Sequence, residues 1–304
     1  MSLFEIVFNQ VVLMFMLMLA GGISYKMKWI NEDGVRQISN LLLFVINPMT
    51  MIGAYQTTFT MDKLQALVHG FIVSNVVLII GIFIISHVFK NYDGIEKYGL
   101  CFSNCGFMGI PIIKAVLGDG AVFYLSSYLV AVNLIVWTYG IYLVTHDKSY
   151  FSIKKAILNP GTISVLLGLI VFFSPVKLPP LLYEGVNTLG NLNTPLAMIV
   201  LGSYIAKMDL KELVLNVRMY MLSFIRLIVY PLGVLLLFIF LPEDLYIIKM
   251  TVLIASMAPA AVNTMIFAIQ FDGDSKLGAG FVSLSSLLSL FTMPVILGLT
   301  SILW

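Results

Sequence analysis

The chain has 304 residues, 60% of them hydrophobic and only 11% charged. Soluble domains carry about 25% charge, so 17 Lys plus Arg and 15 Asp plus Glu cannot clothe a globular surface. Scattered basic pairs and a net charge of +2 exclude nucleic acid as a partner. The apolar residues fall in ten long blocks, several near the roughly 20 residues that cross a bilayer, so the chain reads as an all-α polytopic membrane protein.

The first block, 6–25, lacks a basic leader and a small-residue exit, which predicts a retained helix rather than a cleaved signal. The second, 38–57, carries Asn47-Pro48, and the third, 65–88, contains Asn75. The fourth, 98–116, holds NCGFMGIP from Asn104 to Pro111. Cys101 and Cys105 lie four apart there, and without further Cys or nearby His they read as small core residues, not metal ligands. The fifth block, 122–144, contains Asn133 and ends at the basic joint THDKSYFSIKK. No joint is long enough for a nucleotide-binding domain and no GxxxxGK[ST] occurs, so the chain drives nothing with an ATPase of its own.

The sixth block is 156–173, and the seventh, 181–205, carries Asn193-Thr194-Pro195. In the eighth, 214–240, Arg226 sits eight residues past Arg218, roughly 12 Å deeper at the helical rise. The ninth, 247–269, holds APAAVNT from Ala258 to Thr264, and the tenth is 278–302. Counting Lys and Arg at alternate joints gives twelve on one side and four on the other, with Arg226 apart. The positive-inside rule then predicts a multi-pass protein of the inner or plasma membrane with both termini outside.

Splitting the chain near 150 gives repeats of five blocks, 1–150 and 151–304, which must cross in opposite senses because five is odd. The breakers at blocks two, four, seven and nine match under a five-block shift. Proline removes a helical hydrogen bond and freed carbonyls need partners in hydrocarbon. Matched interruptions predict inverted repeats whose broken helices meet at a midplane site.

That site would use Asn104, Gly106, Gly109 and Pro111 from one half and Pro259, Asn263 and Thr264 from the other. Glycine allows close approach, the amides donate and accept, and half-helix N-termini carry partial positive charge suited to an anion. Arg226 is either a substrate-attracting charge or a structural contact to carbonyls, and the inner-half placement favours the second. Lys114, following Pro111, could feel the pathway, whereas Asn75 and Asn133 are either helix glue or pathway lining.

The opening FNQVVLMFMLMLAGGISYKMKWI, LLLFVINPMTM, SNCGFMGIPI and ASMAPAAVNTMIFA together resemble the auxin efflux carrier family, in particular its short bacterial members, over essentially the whole chain. The resemblance implies secondary transport of organic anions: auxin in plants, malate, malonate or related carboxylates in bacteria. It implies ten helices in two inverted five-helix repeats, a fold akin to the bile-acid symporters and NhaA. Helices one, two, six and seven would form a scaffold, with three to five and eight to ten as the transport domain. Helices four and nine would cross at Pro111 and Pro259, with Asn104 and Asn263 contacting substrate. The long cytoplasmic loop of plant members is reduced here to about a dozen residues, which favours a prokaryotic malate-like permease over an auxin carrier.

The reading is a secondary transporter of mono- or dicarboxylates working by alternating access. Its partners would be the anion, the lipid bilayer, a coupling proton or Na⁺, and a second copy of the chain; no cofactor is expected. A sodium-coupled bile-acid-like symporter is the rival within transport, but no acidic residue lies in mid-span. A membrane-embedded enzyme would need a nucleophile, base or metal at depth, and His69, His87 and His146 lie on separate joints or span ends. A channel gives no reason for mirrored breakers.

Overall fold

A computed structural model describes residues 3–174, 177–208 and 215–303. Lys211 and the start of the eighth predicted block lie outside the described residues. Every predicted block contains helix: α1 (Leu3–Lys26), α2 (Glu32–Tyr55), α3 (Met61–Val88), α4a (Gly94–Cys101), α4b (Cys105–Leu117), α5 (Asp119–Thr145) and α6 (Pro160–Phe173). There follow α7 (Pro180–Lys207), α8 (Val217–Ile239), α9a (Tyr246–Met257), α9b (Asn263–Gln270) and α10 (Ser275–Leu303). Among the described residues seven helices are long and apolar enough to cross a membrane; α4b and α6 are shorter apolar helices. Polar joints supply the caps: Thr60 accepts from Lys63 N, Asp93 and Glu96 form a capping box, and Asn159 accepts from Thr162 N.

Packing follows small residues. Helix α1 lies against the second half of α7, where a methyl on Gly202 would fall 1.9 Å from Met18 O and one on Gly21 2.2 Å from Ile199 O. Without side chains there, backbone meets backbone, as small residues permit in membrane helices. Helix α2 packs on α6 and α7, α3 on α5, and α10 on α8 and α9b.

The prolines of α2, α4b and α8 share one device. Five-residue π-turns, Leu42–Ile46, Cys105–Gly109 and Ile225–Val229, each end two residues before a proline, at Pro48, Pro111 and Pro231. The wider turn accommodates a ring that would clash with the preceding turn. Breaks in α2 and α7, expected from their matched prolines, are therefore absent. Helix α2 runs through Pro48, and α7 only kinks at Leu192, with Pro195 in the first turn after the kink, where a missing N–H costs little. Asn193 Nδ2 donates to Asn47 Oδ1, so the two breaker motifs bind each other.

Candidate functional site

Helices α4 and α9 are interrupted. The linkers Phe102–Asn104 and Ala258–Val262 pair as a short antiparallel bridge between Ser103 and Ala260. Asn104 N donates to Pro259 O at 2.8 Å and Ala261 N donates to Phe102 O at 3.0 Å. Ser285 Oγ of α10 accepts from Ala260 N at 3.2 Å. Backbone that leaves the helix in an apolar interior thus finds partners in the other linker.

Pro259 lies in its linker as expected. In the fourth block, however, the interruption centres on Ser103-Asn104, and Pro111 sits seven residues beyond, in the first turn of the α-helix that follows the π-turn. The π-turn absorbs Pro111, while pairing with Pro259 and Ala261 fixes the break upstream.

The crossing brings Asn104 beside Pro259, with Asn263 and Thr264 opening α9b. Asn104 is only 6% exposed, and its Nδ2 has no hydrogen-bond partner among the described residues; Ser103 Oγ and Thr264 Oγ1 share that condition. Buried polar atoms left unmatched are costly and call for an account. A methyl on Gly106 would meet nothing within 4 Å, so this glycine faces open space, whereas one on Gly109 would make ordinary contact with Ala255 Cα of α9a at 3.9 Å. Asn263 is half-buried and Thr264 packs against Gly99 of α4a.

Arg226 is fully buried and faces carbonyls. Nε donates to Ala258 O (3.2 Å), Nη1 to Leu100 O (3.0 Å) and Nη2 to Ser256 O (2.8 Å) and Ala258 O (3.1 Å). The Tyr230 ring covers the guanidinium at 4.7 Å.

The remaining predicted residues lie elsewhere. Lys114 is at the far end of α4b, donating to Asn191 Oδ1 (3.3 Å) and paired with Asp119 (3.2 Å). Asn75 Nδ2 donates to Phe71 O within its own helix, and Asn133 packs on Gly161. One buried acid escaped the sequence reading. Glu96, with a side chain 2% exposed, binds Arg218 through both carboxylate oxygens, Nη2 to Oε2 at 2.7 Å. It falls just before an apolar block, where nothing in the pattern distinguishes it from a solvated joint residue.

Two clefts of about 330 Å³ each are lined in part by the helices that leave the crossing, α4b in one and α9b in the other. The first is lined by Thr50, Gln56, Lys114, Asp119, Asn187 and Asn191, from α2, α4b, α5 and α7 and the joints that follow α2 and open α5. Neither atom of the Gln56 amide has a hydrogen-bond partner among the described residues. The second is lined by Tyr204, Lys207, Met208, Met265 and Lys276, around the ends of α7 and α9b and the start of α10, with Met219 of α8. The first cleft thus touches α2, α4b, α5 and α7, and the second α7, α8, α9b and α10. Along α7, Asn191 and Tyr204 are thirteen residues apart, about 20 Å.

The sequence model of a family described as membrane transport protein matches the chain twice, over residues 6–154 and 145–297. A curated protein of Methanocaldococcus jannaschii, described as an uncharacterized transporter, is 24% identical over 94% of this chain and 96% of its own length.

Proposed function

The chain belongs to the auxin efflux carrier family of membrane transport proteins, a family of transporters rather than enzymes, and on that premise we propose that it carries small organic anions, malate-like mono- or dicarboxylates, by alternating access. The observation that carries the proposal is the crossing of α4 and α9, where Asn104 Nδ2 and the Thr264 hydroxyl have no partner among the described residues, beside the positive N-terminal ends of α4b and α9b. A carboxylate accepts from such donors, and Gly106 leaves room beside them.

In this proposal all ten helical stretches span the membrane as two inverted five-helix repeats, which the two successive family matches support. Contacts among the joints support the grouping of helix ends into two faces. Lys207 pairs with Glu32 at 2.7 Å and Arg218 with Glu96, joining ends assigned to the cytoplasm. Lys177 and Lys63 both bind Thr57, joining ends assigned outside with the termini. The close packing of α1, α2, α6 and α7 supports a scaffold, with α3–α5 and α8–α10 as the moving part.

The test is uptake by proteoliposomes of labelled malate, malonate, succinate, lactate and indole-3-acetate under imposed pH and Na⁺ gradients. Saturable uptake with counterflow of a dicarboxylate is the expected result. Flux that neither saturates nor shows counterflow, or no anion uptake at all, would overturn the proposal.

A further inference from the structure

The two helix ends that face away from the Asn104 donors are C-terminal, and they converge on one side chain. Leu100 lies in the last turn of α4a and Ser256 in the last turn of α9a, with Ala258 in the linker beyond. Their carbonyls are among the orphans every helix C-terminus leaves. Each end carries about half a negative charge, so two ends together balance about one cation. Arg226 meets them with four N–H bonds and pairs with no carboxylate among the described residues. The compensation for a fully buried guanidinium is therefore supplied by backbone.

Unwound carbonyls at half-helix C-termini form the kind of cage in which transporters hold a free Na⁺, because a hard cation takes oxygen ligands. Here the cage is filled from within the chain. The π-turn Ile225–Val229 contains Arg226 in α8 and ends two residues before Pro231, and the Tyr230 ring lies against the guanidinium. The planar fork reaches carbonyls on both broken helices at once, which a lysine ammonium cannot do with the same geometry.

We infer that Arg226 is a tethered cation standing in the carbonyl cage of the crossing, in place of a free monovalent cation, so that the crossing is held together without bound Na⁺. Arg226 is thus a positioning residue. It holds α4a and α9a while the amides on the opposite side of the crossing remain for substrate. The inference rests on the transporter reading only for its flux consequence; the cage itself is tested by ion binding, so the two can fail separately.

The experiment uses the purified full-length chain in detergent or nanodiscs, melted in NaCl and in choline chloride of equal ionic strength. The wild type should melt at the same temperature in both. Saturable stabilisation of the wild type by Na⁺ would overturn the inference. Removing the tethered charge should convert the cage into a site. Arg226→Ala and the milder Arg226→Gln, prepared with millimolar guanidinium present, should melt lower after its removal. Guanidinium or Na⁺ should then restore melting by about 3 °C at ten times Kd, whereas choline should not. Arg226→Lys, which keeps a charge in the cage, should respond least. Equal melting of Arg226→Gln with and without both cations overturns the inference, as does failure of guanidinium and Na⁺ alike to yield folded Arg226→Ala. Anion flux by the wild type should be equal with and without Na⁺. If no anion is transported but the ion responses appear, the substrate reading fails and the cage stands.

Discussion

At the scale of single residues, the crossing separates two kinds of buried polar group. Asn104 has a donor that no described residue accepts, while Arg226 makes four bonds and has a ring over its face. Truncation should therefore act differently at each. Asn104→Ala and Asn263→Ala should keep folded yield and weaken apparent substrate affinity about tenfold, or about 1.4 kcal/mol, read from the concentration dependence of uptake. Arg226→Gln should lower folded yield while surviving protein keeps its affinity. Tenfold weaker affinity in folded Arg226→Gln, with both Asn variants unchanged, would reverse these roles. Glu96 belongs with Arg226. Its carboxylate is buried against a half-exposed Arg218, so Glu96→Gln should cost about 2 kcal/mol of stability after allowance for solvent at the arginine. The check is thermal melting, with transport by the folded fraction unaltered.

At the scale of elements, the positions of the helices were legible in the sequence and the places where they break were only half so. Hydrophobic blocks bounded by polar joints leave little freedom about where helices lie. A proline, by contrast, states only that a hydrogen bond is missing. Pro48, Pro111 and Pro231 are absorbed by π-turns, and the break in the fourth block falls at Ser103-Asn104 because those peptides pair with the Pro259 linker. That pairing is tertiary, between segments more than 150 residues apart, and no local pattern encodes it. The Asn47–Asn193 contact is of the same kind: the matched motifs were visible, the bond was not. Glycines sort by what surrounds them. Gly202→Ala should force α1 and α7 apart and cost about 2 kcal/mol, because its methyl would strike Met18 O. Gly106→Ala, which meets open space, should melt like the wild type and yet change substrate affinity or preference. Equal melting of Gly202→Ala and the wild type would contradict this account of the α1–α7 contact.

At the scale of the whole molecule, the proposed inverted repeat makes two claims, one about sidedness and one about motion. Cys101 and Cys105 are buried, so cysteines introduced at the exposed Tyr150 and at Glu243 report against a low background. Tyr150→Cys should label from the cytoplasm and Glu243→Cys from outside; labelling of both from one face would end the ten-span arrangement. The motion follows from the clefts. In the proposed repeat they would be counterparts, and they meet α7 in its first half and at its last turn, with α4b lining one and α9b the other. If α3–α5 and α8–α10 rock against the scaffold, opening one cleft must close the other, because α4b and α9b line one cleft each and are joined by the backbone bonds of the crossing. Asn187→Cys reports on the first cleft and Met265→Cys on the second. A transported anion should slow thiol labelling of one and speed that of the other, in opposite directions and with the same half-saturating concentration. Two fixed holes in a rigid protein would instead show both rates falling together by simple occlusion, or neither changing. Parallel changes at the two positions would therefore leave the inverted repeat as architecture and remove alternating access as its use.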